Sequence, residues 1–384
     1  MNEKQIKEII HNNPDWNFFA VVLTPWQANG VDVCIDYLKK KGVLVKGCVL
    51  IKSHQLSGKC IDETFFKTLD NNITVIDIGT FRRSLVSMGT KYLLAFFRAL
   101  FNKNSSIQTV HVVCFGNVDF AWMDYNKQKR TEFLLGDDGT GGYTTTRRLN
   151  YVRNKRTKGT VYALAMDFFM KIRSLMYDKC FYYGLKQGWI TDFRLLKYIK
   201  GAYWSNDASV NAYKMMVGTR LTSERESHYI DGKIIIAAVS FKENIISDLD
   251  EDVNLMDDIV NSLKSLGYGD RIVIKPHPRD MNVNKYDKYE CTIMPKDIGS
   301  LEDVVGNGSA KPLAVISIFS STMITMKLLF DVETISLGKV LIKKGVDDTL
   351  KLIVENYIKV SENYVYFPND LQEFEEKMRA ISLG

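Results

Sequence analysis

Cysteine, histidine and proline are all scarce in this chain of 384 residues, at six, five and seven copies. The cysteines (Cys34, Cys48, Cys60, Cys114, Cys180, Cys291) show no CxxC spacing, and Cys34 lies inside the apolar stretch Val31-Asp32-Val33-Cys34-Ile35. That pattern argues against a disulfide scaffold or a zinc ribbon and predicts buried free thiols in a reducing compartment. No run approaches the ~20 apolar residues of a membrane span. Met1 to Pro14 is polar and carries no apolar signal core, so secretion is not expected. Short repeats and low-complexity tracts are missing, which sets aside solenoids and disordered arrays. The acidic stretch Asp248-Leu249-Asp250-Glu251-Asp252 lacks the spacing of a calcium loop and reads as a solvated helix start.

What is present is an ordinary soluble composition, 46% hydrophobic and 11% aromatic, in a chain long enough for two domains. The net charge of +6 hides an asymmetry. Residues 1–230 hold 33 Lys and Arg against 20 Asp and Glu, whereas 231–384 hold 18 against 25. The positive charge is densest from Arg147 to Lys200, with 13 basic and three acidic residues interleaved with aromatics. Such a block favours anionic surfaces or anionic substrates.

Strand-like and helix-like segments alternate along the first half. Strands are expected at Phe18–Leu23, Val43–Ile51, Ile73–Ile78, Thr109–Phe115 and the run ending at Leu135. Helices are expected at Val31–Lys41 and Leu85–Leu100, with Thr24–Gly30 as a loop. Long basic and aromatic helical segments follow from Thr144 to Tyr229. Alternation resumes with strands at Lys233–Val239, Arg271–Lys275, Leu313–Phe319 and Glu333–Ser336. Helices are expected at Asn254–Leu266, from Thr322, and at Leu371–Ser382, a closing helix that packs back. Alternation of this kind is the signature of βαβ units and parallel sheets. The expected division is 1–228 and 229–384 about a hinge near 225–232, with a basic helical insertion at about 147–200 in the first domain and a cleft between the two.

Three polar islands fall at the carboxyl ends of these strands, where open α/β sheets place their ligands. Gly136-Asp137-Asp138-Gly139 offers paired acids between glycines, suited to a general base, and a plain Asp-Gly turn or half of a metal site are the competing readings. Lys275-Pro276-His277-Pro278-Arg279 sets an imidazole between two prolines with a cation on either side, so His277 can protonate a leaving phosphate that Lys275 and Arg279 hold. None of the other four histidines has a comparable setting. Ser320-Ser321-Thr322 joins a buried strand to a helix start, a place suited to a phosphate and equally to an ordinary N-cap.

An acidic-acidic-Gly motif, then His-Pro, then a serine pair, in this order on two sheet domains, resembles the bacterial sialyltransferases of the lipooligosaccharide, polysialic acid and Pasteurella-type groups. Thr24-Pro25-Trp26-Gln27 is similar to a Thr-Pro-x-Gln loop of the lipooligosaccharide group. The resemblance implies a GT-B fold of two Rossmann-like domains with parallel sheets facing a central cleft. It also implies an inverting, metal-independent glycosyltransferase that moves sialic acid from CMP-sialic acid to a terminal galactose or sialic acid of a surface glycan in lipopolysaccharide or capsule biosynthesis.

By motif position, Asp137 is the base and His277 assists departure of CMP. Ser320, Ser321 and Thr322 hold the phosphate, and Glu302 binds the ribose hydroxyls or is simply a helix-start acid. Asp138, Gly139, Lys275, Pro278, Arg279, Thr24 and Gln27 line the substrates. No cofactor is implied. The partner is a lipid-linked glycan acceptor and not a nucleic acid polymer. The basic block is expected either at the anionic inner-membrane leaflet, giving a cytoplasmic and peripheral location, or in a helical contact such as a homodimer.

Val239-Ser240-Phe241-Lys242 departs from the Gly-Gln-Pro-like turn of the lipooligosaccharide group. That leaves the subgroup open and makes Asp257 or Asp258 rivals to Asp137. A CDP-glycerol glycerophosphotransferase, a CMP-Kdo transferase and a non-catalytic nucleotide-binding module remain alternatives.

Overall fold

The structure is a computed structural model that describes residues 1, 3–53, 61–80, 109–115, 130–137, 147–168, 171, 185–188, 206–217, 228–239, 251–277, 280, 282–306 and 310–382. Its chain divides into two compact units. One comprises Met1–Asp138 and Phe169–Met216, the other Gly139–Phe168 and Val217–Gly384.

The first unit opens with helix α1 (Glu3–His11) and is built on six parallel strands. These are β1 (Phe18–Val22), β2 (Gly47–Lys52), β3 (Ile73–Gly79), β4 (Thr109–Phe115), β5 (Arg130–Gly136) and β6 (Leu185–Gly188), ordered β3-β2-β1-β4-β5-β6. The order reverses between β1 and β4, which makes that junction the switch point of a doubly wound sheet. Helix α2 (Pro25–Lys40) departs from the expected loop at Thr24–Gly30, since the helix begins at Pro25. Thr24 caps it by accepting from the Gln27 amide at 3.3 Å, proline stands at the first turn, and the Gln27 side chain reaches back to accept from the Leu23 N–H at 2.7 Å. Together these satisfy the donors that a helix start leaves open. The expected helix at Leu85–Leu100 lies outside the described residues.

Helix α3 (Arg147–Lys158) belongs to the second unit, and α4 (Asn206–Met216) returns to the first, where it packs on α2. The sequence predicts α3 as part of a basic insertion in the first domain, whereas the structure assigns it to the second unit. There α3 packs on α9 (Asp348–Ser361), where Arg156 pairs with Asp347 at 3.0 Å.

The second unit carries five parallel strands: β7 (Ile234–Ala237), β8 (Ile272–Lys275), β9 (Thr292–Ile293), β10 (Ala314–Ser317) and β11 (Glu333–Ser336). They are ordered β11-β10-β7-β8-β9, with the switch point between β7 and β10. Among the described residues this unit also carries α5 (Glu251–Ser265), α6 (Leu301–Gly306), α7 (Ser321–Phe330), α8 (Gly338–Lys343), α10 (Leu371–Ser382) and a helical stretch at 160–168. The strands read as continuous apolar runs because both faces are covered. Ile234, Ile236, Ile272, Ile274 and Ile316 pack with Leu255 and Ile259 of α5 and Phe374 and Met378 of α10. Ile235, Val273 and Val315 face Met323, Met326 and Tyr357. Cys34, Cys48 and Cys291 are not in disulfides.

Candidate active site

Strand β5 delivers Asp137 at its carboxyl end, as expected. A Cβ on Gly136 would come within 2.4 Å of the Phe115 ring and a Cβ on Gly30 within 2.6 Å, so both glycines are needed for β5 and α2 to close on that ring. Asp137 is fully buried. Its Oδ2 accepts from the Trp26 indole N–H at 2.9 Å, and its backbone N–H donates to the Tyr213 hydroxyl at 2.7 Å. Trp26 and Tyr213 stack at 4.6 Å with planes 19° apart. Trp26 thus orients the carboxylate, which without partners would be very costly to bury, and Tyr213 holds the backbone that carries it. Neither was foreseen as a site residue. Trp26 stood inside the quoted Thr-Pro-Trp-Gln segment, but nothing local marks Tyr213. Asp138 and Gly139 lie outside the described residues.

In the second unit, β8 ends at Lys275 and the chain continues to a half-buried His277. The Asp280 N–H donates to the His277 carbonyl at 2.9 Å. The Asp280 carboxylate is wholly buried, accepts from the Tyr286 hydroxyl at 2.6 Å and pairs with Lys285 at 3.0 Å, while Lys296 donates to the Asp280 carbonyl. This buried anchor of the His-Pro segment was also missed, although Asp280 directly follows the quoted motif. A charged residue beside Arg279 reads as solvated unless its burial is known. Pro278 and Arg279 lie outside the described residues.

Ser320 caps α7, its hydroxyl accepting from the Thr322 amide at 3.3 Å, and its carbonyl accepts from the buried Tyr357 hydroxyl at 2.9 Å. The cap reading therefore holds for Ser320, at a helix start whose dipole suits an anion. Ser321 and Thr322 occupy the first turn, half-buried. Glu302 on α6 is buried and accepts from the Thr325 hydroxyl. Burial pushes its carboxyl above the usual range, with Asp303 adding to the rise while Thr325 and Lys275 oppose it. Burial likewise lowers the Lys275 ammonium, against the pull of Glu302. Lys275, the last residue of β8, thus acts electrostatically on Glu302, whose carboxylate Thr325 holds.

The rival acids lie on α5 and are engaged elsewhere. Asp257 pairs with Lys288 at 2.7 Å and Asp258 with Lys344. Burial would raise the Asp257 carboxyl, but Lys288 and Tyr289 together hold it below its ordinary value, which makes it a poor proton acceptor. Thr24 and Gln27 serve the α2 cap described above. Among the described residues, no group of three or more His, Cys, Asp or Glu side chains gathers as a metal site, and no helix is long and apolar enough to cross a membrane.

The model of the alpha-2,8-polysialyltransferase family matches residues 18–339. A Listeria monocytogenes protein described as a UDP-N-acetylglucosamine 2-epimerase shares the fold at TM-score 0.51 and 10% identity, over 96% of this chain and 88% of that one. The α/β-galactoside α-2,3-sialyltransferase of Photobacterium phosphoreum matches at 0.44 and 13%, over 91% and 97%. The GT-B domain of the Photobacterium damselae sialyltransferase matches at 0.41 and 13%, over 91% and 99%. No curated protein matches the sequence. The two parallel-sheet units are of GT-B type.

Proposed function

The chain belongs to the alpha-2,8-polysialyltransferase family, and from that premise we propose that this glycosyltransferase moves sialic acid from CMP-sialic acid onto the hydroxyl of a sialylated acceptor glycan. The reaction inverts the anomeric centre and uses no metal. The bond from the anomeric carbon to the CMP phosphate breaks as the acceptor oxygen bonds to that carbon. The acceptor proton passes to Asp137, and CMP departs with a hydrogen bond or proton from His277. Ser320, Ser321 and the first amides of α7 receive the phosphate, and Glu302 addresses the ribose hydroxyls.

A good leaving group leaves little covalent work for the protein, so positioning and one base carry most of the rate. Acid–base assistance is worth roughly 10²–10⁴-fold. The observation that carries the reading is the extent of the family match, which spans Asp137, His277, Glu302 and Ser320–Thr322 together. Because Asp137 is fully covered, an acceptor reaches it only after the residues over it move aside.

The test is CMP release from CMP-sialic acid with an oligosialic acceptor, beside a galactoside acceptor and a CDP-glycerol control. Release should require the sialylated acceptor. Asp137→Asn should abolish turnover while CMP binding, measured by calorimetry, persists. Release from CDP-glycerol alone, or full turnover in Asp137→Asn, would overturn the proposal.

A further inference from the structure

Thr325 lies within α7, 1% exposed, and its hydroxyl has three oxygens within reach. The Thr322 and Ser321 carbonyls lie at 3.1 and 3.2 Å, and the Glu302 carboxylate on α6 is the closest of the three. A hydroxyl carries one proton, so it serves one of them at a time. A threonine inside a helix ordinarily returns that proton to a carbonyl three or four residues back. Here a buried carboxylate competes, and a hydrogen bond to an ionised oxygen is shorter and roughly twice as strong as one to a neutral oxygen. While Glu302 is ionised, the Thr325 proton therefore goes to Glu302. A protonated Glu302 reverses the bond: it donates, Thr325 accepts, and the threonine proton turns to the first turn of α7.

The charged groups that act on Glu302 are Lys275 at the end of β8 and Asp303 beside it on α6. Asp303 accepts from the Ser300 hydroxyl at 2.6 Å, and Lys327, the one cation of α7, pairs with Asp331 at 2.7 Å and Glu333 at 3.1 Å. Burial raises the Glu302 carboxyl and Asp303 adds to the rise, while the Thr325 hydroxyl and Lys275 pull it down. We propose that Thr325 is a positioning residue of the donor site: its hydroxyl fixes ionised Glu302 to α7, the helix whose first turn receives the phosphate, and leaves the remaining carboxylate lone pairs to the ribose hydroxyls. The inference rests on the roles given above to Glu302, Ser320 and Ser321. Ribose and phosphate are thus met by one hydrogen-bonded unit, and the ribose hydroxyls are recognised only while Glu302 is ionised.

The experiment is calorimetry of the full chain with CMP and with its analogue lacking both ribose hydroxyls, from neutral to acidic pH. The ratio of the two affinities cancels the titration of the nucleotides themselves. Thr325→Val keeps the shape and deletes the hydroxyl. It should weaken CMP by about 10–100-fold, the loss of one hydrogen bond to a charged group, and leave the analogue nearly unchanged. Thr325→Ser should restore the preference for CMP. In wild type that preference should fade at a pH above the usual glutamate range, and in Thr325→Val any remainder should fade at a higher pH still, because the hydroxyl that lowered the carboxyl is gone. In turnover, the donor KM should rise more than kcat falls. Equal weakening of both nucleotides in Thr325→Val indicates a merely structural role and overturns the proposal, as does an undiminished preference for CMP. Should the valine variant fail to fold, the wild-type profile decides: a preference that persists unchanged down to about pH 4.3, the ordinary glutamate value, overturns the proposal. Wild type that binds no CMP would strike the transferase reading as well, whereas CMP binding with an unaltered valine variant strikes the proposal alone.

Discussion

Asp280→Asn isolates the anchor beneath the His-Pro segment. The substitution preserves size, and the new amide oxygen still accepts from Tyr286. It removes the charge that Lys285 meets at 3.0 Å and weakens the 2.6 Å hydrogen bond from Tyr286. A hydrogen bond to a charged group contributes about 1.5–3 kcal/mol. Orphaning a fully buried charge costs about 3–5 kcal/mol, but the Lys285 side chain is 21% exposed and turns to water. The lower range therefore applies, and about 2 kcal/mol shifts the anchored loop population by roughly 30-fold. If His277 acts on the leaving phosphate, the loss falls on kcat, because a misplaced acid weakens the transition state more than the bound donor. The expected result is a fall in kcat of about 10–30-fold with KM for the donor nearly unchanged. Tyr286→Phe, which keeps the charge pair, should lose less. Steady-state CMP release at saturating acceptor measures both. A kcat within twofold of wild type in Asp280→Asn refutes the reasoning. So does an equal rise in KM that leaves kcat intact, which would mean that the anchor serves binding only.

Trp26→Phe retains a ring to stack on Tyr213 but deletes the indole N–H that donates to Asp137 at 2.9 Å. It should cost about 1–3 kcal/mol in chemical denaturation and lower CMP release more than a Tyr213-facing ring alone explains, and unchanged turnover would show that the contact does not orient the carboxylate. Asp347 caps α9 through the Thr349 and Leu350 amides at 2.7 and 3.0 Å and pairs with Arg156. Burial alone would raise its carboxyl, yet the Leu350 amide, Arg156 and the Thr349 amide outweigh it and hold the group below its ordinary value. A depressed carboxyl stabilises the fold above its unfolded pKa of about 3.9 and loses that contribution as pH falls through the folded one. Asp347→Asn should therefore be less stable at neutral pH by about 0.5–1 kcal/mol, given the partial exposure of the pair. The gap to wild type should close as pH drops below about 4, and a gap that persists there would refute the charge assignment.

Both sheets were legible because parallel strands buried on two faces leave long aliphatic runs, and polar residues mark where each run ends. Ile272–Lys275, Ala314–Ser317 and Glu333–Ser336 fall where the runs predicted them. The same logic located Asp137, His277 and Ser320, which needs only local sequence. What stayed hidden was carried by contacts between distant positions. Trp26 and Asp137 are 111 residues apart and Asp137 and Tyr213 are 76 apart, so no local window contains the pair. Gly30 shows how this misleads. The sequence predicts a loop glycine there, with the helix beginning at Val31. In the structure Gly30 is helical, and what it meets is the Phe115 ring, the same ring that excludes a side chain at Gly136. The helix-weakening residue is kept because α2 and β5 must both close on one aromatic ring. That approach sets the height at which β5 releases Asp137 beneath Trp26. A glycine that looks like a break in the helix is thus a condition for the position of the proposed base.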